Sequence, residues 1–467
     1  MNANQSTFQA QESLTVYAPF DGRVVGHVPL STAADIPVIM EKARLGTLDG
    51  KQMSRTERAR ILNAAAEAIA GQIDTFALTI ANESGKALRQ ARKEVARCIN
   101  TLRLSAEEAK RVGGEIIPFS AYQGSENRQG YFTQEPLGIV FAVTPFNDPL
   151  NLAAHKLGPA IAAGNAVILK PSGLSPLSAQ KLAEVLWKAG VSPNQLQIVH
   201  GDRSVITGLV QEKDIRMISF TGGTSTAEAI TQIAGLKKMA MDLGGNAAVI
   251  VMADSDFELA VESCVSGSFW ASGHNCIGTQ RILVERSIYE QFVGRFAELT
   301  RQMITGDPTS DATDMGPMIS EDQAKRIETW VSDALAKGAK LICGHERKGS
   351  IYSPTVLTDV PTDCKVWSEE VFAPVVSIAP FDSFDAALAE ANGSECSLHA
   401  GIFTRSLETA LKAADQIEAG GVMINDSSDY RFDGMPFGGF KYGSLGREGV
   451  KFAIQEMTQP KVICINR

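Results

Sequence analysis

The first part of the chain carries apolar residues at the spacing of an amphipathic α-helix. Residues 54–57 read Ser-Arg-Thr-Glu, a capping box that predicts the start of a helix. Four apolar residues follow it: Ile61, Leu62, Ala65 and Ile69. Because a helix turns once every 3.6 residues, this spacing places them on one face. A second helical pattern extends from residue 83 to residue 112, so this part of the chain is predicted to be helical.

Two extended segments follow the helical part. Residues 116–119 (Ile-Ile-Pro-Phe) and 130–133 (Gly-Tyr-Phe-Thr) are separated by the turn residues Gly124 and Asn127. Strand-like segments joined through such residues predict a β-hairpin. A further short β segment is predicted at residues 461–465.

Strand and helix patterns alternate from residue 138 onwards. Residues 139–143 (Ile-Val-Phe-Ala-Val) are a continuous apolar run, as in a strand that is buried on both faces. The elements predicted next are helix 149–163, strand 166–169, helix 176–189, and strands 196–199 and 217–220. A second strand–helix pattern begins at residues 247–251 and extends to about residue 444. This alternation predicts an α/β protein with a doubly wound parallel sheet.

The composition narrows the class of protein. A chain of 467 residues is long enough for two or three domains, and 44% apolar with 21% charged residues is typical of a globular protein. The net charge of −9 argues against a nucleic-acid partner. No apolar run reaches the length of a membrane span, and the first residues lack the features of a secretory signal. We therefore expect a cytoplasmic protein that binds neither nucleic acid nor membrane.

Seven cysteines are scattered along the chain: Cys98, Cys264, Cys276, Cys343, Cys364, Cys396 and Cys464. An odd number without a Cys-x-x-Cys pair predicts reduced thiols rather than a disulfide framework or a zinc site. No metal ion is expected. The cysteines other than Cys276 are expected to be buried packing residues.

Several different short motifs that carry potential catalytic or ligand-binding residues follow one another along the chain. Cys276 follows Ser-Gly-His-Asn and lies 34 positions after Asp242, which opens an Asp-Leu-Gly-Gly segment. The other segments are 145–149 (Pro-Phe-Asn-Asp-Pro), 156–160 (Lys-Leu-Gly-Pro-Ala), 164–165 (Gly-Asn), 170–172 (Lys-Pro-Ser), 220–224 (Phe-Thr-Gly-Gly-Thr), 369–374 (Glu-Glu-Val-Phe-Ala-Pro), 436–441 (Pro-Phe-Gly-Gly-Phe-Lys) and 446–449 (Gly-Arg-Glu-Gly). Together they resemble the aldehyde dehydrogenase superfamily over nearly the whole chain. Residues 146–150 and 426–431 look similar to its lactaldehyde and phosphonoacetaldehyde dehydrogenase branch.

The resemblance implies a three-part organisation. A Rossmann-like NAD(P)-binding domain would comprise residues 1–117 and 137–244, and a second α/β domain with the catalytic cysteine would comprise residues 245–444. Residues 118–136 and 445–467 would form a small β oligomerisation element. A homodimer or homotetramer is then expected.

The same resemblance assigns the catalytic roles. Cys276 would attack an aldehyde as thiolate, for which its pKa must fall below the free value of about 8.5. Gly273 permits a close turn before it, whereas His274 stands too near in sequence to point readily at the sulfur. Asn147 and the backbone N–H of Cys276 would hold the oxyanion. Asp242 would activate the water that hydrolyses the thioester, although the family usually has Glu there, longer by about 1.5 Å.

Other positions match the family's cofactor site, for NAD or NADP. Lys170 would bind the adenosine ribose and Glu370 the nicotinamide ribose, while Phe372 would lie against the nicotinamide ring. The cofactor's pyrophosphate would meet the strand-to-helix turn formed by Thr221, Gly222, Gly223 and Thr224. Ser172 belongs to the same site. At Gly173, NAD-preferring relatives often carry Glu, so the preference between NAD and NADP stays open.

Polar residues replace the aromatic lining that many relatives have at the substrate. Asp148 and His155 stand at two such positions, and Arg103 and Arg431 are candidate anion partners. We expect a small polar or anionic aldehyde, oxidised to its carboxylic acid. The alternatives are a CoA-acylating enzyme, which typically has Asn at position 242, a thiol esterase, and a non-catalytic binding protein. The presence of Asp242, Lys170 and Glu370 disfavours the first two.

Overall fold

The structure is a computed structural model that describes residues 12–467. The helices in this range are α1 (Ile36–Gln52), α2 (Arg55–Ala70), α3 (Ile73–Ser84), α4 (Leu88–Arg111), α5 (Asn151–Ala163), α6 (Leu177–Ala189), α7 (Arg203–Gln211), α8 (Thr224–Ala234), α9 (Phe257–Phe269), α10 (Tyr289–Gln302), α11 (Glu321–Ala336), α12 (Lys365–Ser368), α13 (Phe384–Ala391), α14 (Leu407–Gln416) and α15 (Val450–Glu456). Among these described helices, none combines the length and the apolar character that crossing a membrane requires.

The strands in the same range are β1 (Ser13–Tyr17), β2 (Val24–Pro29), β3 (Arg128–Pro136), β4 (Ile139–Val143), β5 (Ala166–Lys170), β6 (Leu196–Ile198), β7 (Ile215–Thr221), β8 (Lys238–Asp242), β9 (Ala247–Val251), β10 (Thr279–Glu285), β11 (Lys340–Cys343), β12 (Arg347–Lys348), β13 (Ile351–Tyr352), β14 (Thr355–Thr358), β15 (Val375–Phe381), β16 (His399–Phe403), β17 (Gly421–Ile424) and β18 (Thr458–Asn466). The predicted strand at residues 139–143 coincides with β4.

Five of these strands form a parallel sheet in the order β6-β5-β4-β7-β8. The chain runs outwards from β4 in both directions, so the predicted doubly wound sheet is confirmed. Because the strands are parallel, their carboxyl ends share one edge, which holds Val143, Lys170, Thr221 and Asp242. Sheets of this kind bind ligands at that edge, in the crevice where the strand order reverses.

Helices cover both faces of this sheet. On β4, Val140 and Ala142 pack in a core that includes α2 to α6, whereas Ile139 and Phe141 pack on the other side with α1, α7 and α8. Burial on both faces explains why β4 is a continuous apolar run rather than an alternating one.

A second sheet has seven strands in the order β11-β14-β15-β10-β9-β16-β17, and only its edge strand β11 runs antiparallel to its neighbour. The predicted second α/β unit is therefore confirmed. Its strands β9, β10 and β15 begin at Ala247, Thr279 and Val375. Only residues 243–246 connect β8 to β9, so the amino edge of this sheet lies close to the carboxyl edge of the first.

The hairpin predicted between residues 116–119 and 130–133 is confirmed in part. Ile116 forms an antiparallel bridge with Tyr131, and the N–H of Ile117 donates to the carbonyl oxygen of Gly130 at 3.0 Å. Strand β3 also pairs antiparallel with β18 along its whole length. This second partner lies at the other end of the chain, so local turn residues could not indicate it.

The helix predicted from residue 83 to residue 112 is interrupted by a turn. Helix α3 ends at Ser84, and Gly85 follows with a φ of 77°. A Cβ on Gly85 would lie 2.9 Å from the Pro317 ring, so a side chain there would collide as well as strain the backbone. The turn directs the buried Lys86 into the interior before α4 begins.

Candidate active site

Cys276 lies in a strained turn between α9 and β10. Ala271 and Ser272 have left-handed φ angles of 49° and 58°, and Gly273 follows with 71°. A Cβ on Gly273 would lie 2.1 Å from the carbonyl oxygen of Ala373, so this position requires glycine. The close turn predicted at Gly273 is confirmed. It sets the half-buried Cys276 just ahead of β10.

The surroundings of Cys276 hold its thiol in the protonated form. Burial raises the pKa of the thiol well above its ordinary value, and the nearby Asp242 raises it further. Arg431 acts in the opposite direction but does not overcome these effects. A base must therefore take the thiol proton before the sulfur can attack.

Asp242 ends strand β8 and is 4% exposed. Both of its carboxyl oxygens are buried without a hydrogen-bond partner among residues 12–467. Burial raises the pKa of Asp242 to about 7, and the neighbouring Glu448 adds to the effect. A carboxyl group with this pKa exchanges protons near neutral pH, as a general base must.

Glu448 is a second buried acid, one that the sequence analysis did not single out. It accepts hydrogen bonds from Lys156 Nζ at 2.6 Å, from Arg431 Nη2 at 2.8 Å and from Thr221 Oγ1 at 3.2 Å. Burial alone would raise the pKa of Glu448, but Lys156 and Arg431 lower it well below its usual range. Both Lys156 and Glu448 belong to matched motifs, which was the available signal for this group.

Asn147 follows β4, and its side chain reaches the turn that carries Cys276. Its Nδ2 donates to the carbonyl oxygen of His274 at 3.0 Å. Its Oδ1 is buried without a partner among the described residues. The amide group predicted for the oxyanion hole is thus close to the cysteine loop in space, although 129 positions separate Asn147 from Cys276.

His274 packs against aromatic rings. Its ring centroid lies 5.3 Å from that of Phe146 and 5.5 Å from that of Phe372. Burial lowers the pKa of His274 to about 3, so the imidazole is neutral. Phe372 itself has a left-handed φ of 47° and lies 5.7 Å from Phe146. These three rings form one wall beside the Cys276 turn.

A cavity of about 370 Å³ opens at Cys276 and is called the Cys276 pocket here. Asn147 lines it together with six charged residues: Lys93, Arg97, Asp148, Asp426, Asp429 and Arg431. Two of the predicted substrate residues, Asp148 and Arg431, are thus at the pocket. The guanidinium carbon of Arg431 lies 3.6 Å from the centroid of the Phe437 ring, and its Nε is buried without a partner among residues 12–467.

The prediction that Arg103 and His155 face the substrate is wrong. Arg103 is exposed and donates to Glu67 at 2.6 Å, away from the pocket. His155 is buried behind it, with Nε2 3.0 Å from Asp433. Arg97 is the pocket arginine of α4. The step of six positions from 97 to 103 rotates the side-chain direction by about 240° beyond a full turn, so Arg103 points to a different side of α4.

A buried ionic network supports the pocket and was missed in the sequence. Arg97 Nη1 donates to Asp148 at 3.2 Å, and Arg97 Nη2 donates to Asp433 at 2.9 Å. Lys86 forms ion pairs with Asp148 and Glu94. Glu94 also accepts backbone N–H groups at the start of α5, at 2.8 and 3.2 Å. Polar residues on the inner face of α4 were the only sequence signal.

A second cavity, of about 770 Å³, is called the Glu370 cleft and is lined by Thr224, Gly244 and Glu370, among others. A Cβ on Gly244 would lie 2.0 Å from Glu370 Oε2, and the N–H of Gly245 donates to Oε1 at 3.3 Å. Burial raises the pKa of Glu370 to about 7. Gly223 precedes α8 with open space beside it. A helix amino terminus near the Glu370 carboxylate fits a dinucleotide.

The residues predicted for the adenosine side follow β5. Lys170 Nζ donates to the carbonyl oxygen of Pro171 at 2.9 Å, and burial lowers the pKa of Lys170. Ser172 accepts a backbone hydrogen bond two residues on, which shapes the turn. A Cβ on Gly173 would make only ordinary contact, 3.6 Å from Leu14. A larger side chain can therefore be accommodated at Gly173.

The chain matches the model of the aldehyde dehydrogenase family over residues 7–463. Aspartate-semialdehyde dehydrogenase 1 of Pseudomonas canavaninivorans is 56% identical over 453 residues, which cover 97% of this chain and 96% of that protein. Lactaldehyde dehydrogenase of Methanococcus aeolicus is 36% identical over 464 residues, which cover 98% of each chain. The predicted resemblance is thereby confirmed.

Solved structures agree with these matches. Aldehyde dehydrogenase 21 of Physcomitrella patens, in complex with the reaction product succinate, superposes with a TM-score of 0.96 at 36% identity, covering 98% of this chain and 96% of that one. Glyceraldehyde-3-phosphate dehydrogenase of Methanocaldococcus jannaschii, complexed with NADP, gives 0.94 at 37% identity, covering 98% and 100%. This chain therefore belongs to the aldehyde dehydrogenase family and is an NAD(P)-dependent oxidoreductase that acts on aldehydes.

Proposed function

We propose that this enzyme oxidises a short anionic aldehyde to its carboxylic acid through a covalent intermediate on Cys276. The observation that carries the proposal is the charged lining of the Cys276 pocket, where Arg97 and Arg431 line the same cavity as the thiol. An alkyl chain in this cavity would desolvate these charges without pairing them, which is costly. Aspartate semialdehyde, succinate and glyceraldehyde 3-phosphate, which occur in the names or complexes of three relatives, each carry a carboxylate or a phosphate, whereas the lactaldehyde in the name of another relative is uncharged.

The chemistry begins with the sulfur. Asp242 is the acid with the largest effect on the Cys276 thiol, and its pKa of about 7 suits it to accept the thiol proton. The thiolate adds to the aldehyde carbon, and the oxygen becomes negative. Asn147 and the backbone N–H of Cys276 would donate to that oxygen; losing one such donor typically costs about 10²–10³ in rate.

The Glu370 cleft suits a nicotinamide cofactor because Glu370 lies close to Gly244 and because the space beside the amino end of α8 is open. Lys170, Ser172 and Gly173 would hold its adenosine ribose, and Glu370 its nicotinamide ribose. The pyrophosphate would meet the four-residue turn of Thr221, Gly222, Gly223 and Thr224, and Phe372 would lie against the ring. When bound, the cofactor supplies the hydride acceptor that oxidises the adduct to a thioester.

Hydrolysis of the thioester needs an activated water, and we assign this step to Asp242. Burial and the charge of Glu448 raise the pKa of Asp242, while Arg431 and Lys156 lower it, and the result is a pKa of about 7. Its side chain is shorter than the family's usual glutamate by about 1.5 Å, which leaves space for a water between acid and thioester. The carboxylate at this position disfavours the CoA-acylating alternative, and the cofactor requirement disfavours a thiol esterase.

We further propose the domain and oligomer assignments. Strand β18 and its partner β3 leave apolar side chains exposed, among them Val462 and Ile465, as a homodimer or homotetramer interface would. Residues 118–136 and 445–467 are assigned to this element, although Val450 and Ile454 pack in the core of residues 1–117 and 137–244. Residues 245–444 carry the second sheet. All seven cysteines are free, which supports a reducing, cytoplasmic location.

The proposal is tested by an aldehyde panel. Succinate semialdehyde and hexanal should be compared by kcat/KM with NAD and with NADP, following the absorbance of the reduced nicotinamide. We expect the anionic aldehyde to be the better substrate by at least about tenfold, the value of one charged hydrogen bond. A higher kcat/KM for hexanal would contradict the proposal.

A further inference from the structure

The solvent-exposed end of the Cys276 pocket carries charges of both signs. Lys93 and Tyr430 are exposed there, and Asp426 and Asp429 are half-buried beside them. The ammonium group of Lys93 lies 5.1 Å from the centroid of the Trp270 ring, which forms part of the same lining. None of these residues is used by the chemistry at Cys276.

Asp426 and Asp429 differ from Asp148, the other acid of the pocket, in having no salt-bridge partner among the described residues. Within residues 12–467, Asp148 forms salt bridges, whereas Asp426 and Asp429 form none. Ser427 donates to Oδ1 of both carboxylates, through its backbone N–H to Asp426 at 2.8 Å and through its hydroxyl to Asp429. In the described residues, both Oδ2 atoms stay without a donor.

The same pocket holds two cationic side chains that could still bind an anion, Lys93 and Arg431. Lys93 forms no salt bridge among residues 12–467, although its charge acts on Asp429. It stands four residues before Arg97 on α4, so the two side chains share one face of the helix. The Nε of Arg431 is buried and has no partner in the described part of the chain, and the Arg431 side chain is only 7% exposed. A ligand that satisfies this cavity must therefore carry a negative group as well as a positive one.

The aspartate loop is fixed relative to the reacting sulfur. Ser428 lies between the two aspartates and is fully buried. Its hydroxyl donates to the carbonyl oxygen of Ile277 at 2.8 Å and lies 3.0 Å from Thr279 Oγ1. Because Ile277 directly follows Cys276, the carboxylates are held at a set distance from the thiol, as a specificity site requires.

We propose that the substrate is a short α-amino acid semialdehyde, whose ammonium group binds Asp426 and Asp429 while its carboxylate binds Lys93 and Arg97. The inference rests on the proposed function, because it takes Cys276 as the reacting centre. An α-amino acid carries its two charges on one carbon, which matches a single cavity that is lined by both cations and acids. Burial raises the pKa of Asp429, so a bound ammonium would stabilise its charged form.

Two aldehydes that differ only in the amino group test this inference. Aspartate 4-semialdehyde and succinate semialdehyde share the same carbon chain, aldehyde and carboxylate. Wild-type enzyme should favour the amino compound by at least about tenfold in kcat/KM, since succinate semialdehyde has no ammonium group and would leave two carboxylates unpaired when it binds. Asp426→Asn and Asp429→Asn should each lower that preference, because kcat/KM should fall for the amino compound and not for succinate semialdehyde, which has no ammonium group to pair with them.

Control variants separate charge recognition from other effects. Asp415→Asn, at an exposed position of α14, should leave the preference unchanged. Lys93→Gln should reduce kcat/KM for both aldehydes by a similar factor, because both carry the carboxylate. If Asp429→Asn does not fold, the Asp426→Asn and Lys93→Gln pair still gives the comparison.

The outcomes distinguish this inference from the proposed function. If wild-type enzyme oxidises succinate semialdehyde at least as well as the amino compound, or if the preference survives both aspartate substitutions, the zwitterion site is wrong and the anionic-aldehyde function stands. If hexanal exceeds both compounds, the proposed function itself fails.

Discussion

Arg97 of helix α4 and Asp433 of the loop before α15 are joined by two hydrogen bonds, at 3.2 and 2.9 Å, although 336 positions separate them. His155 and Asn151 also contact the same Asp433 oxygen, at 3.0 and 3.1 Å. With Asp148 on its third nitrogen, the Arg97 guanidinium is held in one orientation before any substrate arrives. Such preorganisation reduces the entropy lost on binding an anion.

Arg97→Gln should lower kcat/KM for a short anionic aldehyde by about 10–100-fold, the range of one or two charged hydrogen bonds. Activity toward hexanal should fall much less, because an uncharged chain gains nothing from the guanidinium. Arg103→Gln is the matched control, since Arg103 is on the same helix but exposed and paired with Glu67. Equal losses in both variants would show that neither arginine faces the substrate.

Cys276→Ala should abolish aldehyde-dependent reduction of the cofactor, with a loss of at least about 10³-fold, because no other group is placed to form the covalent adduct. Binding of NAD, measured by calorimetry, should be nearly unchanged. Cys343→Ala, in the edge strand β11, should retain full activity. Appreciable turnover by pure Cys276→Ala enzyme would exclude the covalent mechanism.

Asp242→Asn should slow steady turnover by about 10²–10⁴-fold, because hydrolysis loses its base, and should also slow the first burst of reduced cofactor, because the thiol proton loses its acceptor. Stopped-flow measurement separates the two phases. Asp242→Glu restores the carboxylate and should recover much of the steady rate. Unchanged turnover in Asp242→Asn would mean that another group activates the water.

The pH dependence follows from the same residue. Because the pKa of Asp242 is raised to about 7, its basic form is lost as the pH falls through that value. Hydrolysis-limited turnover should therefore decrease below about pH 7, and this decrease should vanish in Asp242→Asn. The contrary result, an identical acidic limb in both enzymes, would assign the titration to a different group.

The stability of the fold should respond to Asp242 in the opposite sense. A buried acid with a raised pKa keeps its proton longer in the folded state, so its contribution is present below the unfolded pKa of about 4 and is lost as the pH rises through about 7. Asp242→Asn should consequently raise Tm more at pH 8 than at pH 4. Calorimetric unfolding of both proteins at the two pH values measures this, and an equal shift at both would contradict the burial argument.

Gly173→Glu should weaken NADP more than NAD, because a carboxylate near the ribose 2′ end repels a 2′-phosphate. Gly173→Gln has the same shape without the charge and should affect both cofactors alike. The comparison uses KM for each cofactor at a saturating aldehyde concentration. Equal losses for NAD and NADP in Gly173→Glu would show that this position faces elsewhere.

The sequence alone determined the fold class, the family and the positions of the family's motifs. The continuous apolar run of β4 identifies a strand buried on both faces, because side-chain burial repeats with local periodicity. The glycine at position 273 and the spacing of Asp242 from Cys276 likewise express constraints of the backbone within short segments. Parallel strands then place Lys170, Thr221 and Asp242 on one edge without further information.

The tertiary structure decided which side chains meet. The sequence predicts Arg103 at the substrate, whereas the structure places Arg97 in the pocket, held by the distant Asp433. A second partner of β3 is likewise β18, from the other end of the chain. The raised pKa of Asp242 depends on burial and on Glu448, which lies 206 positions later in the sequence. Desolvation and charge pairing arise between distant segments, and no local pattern of residues records them.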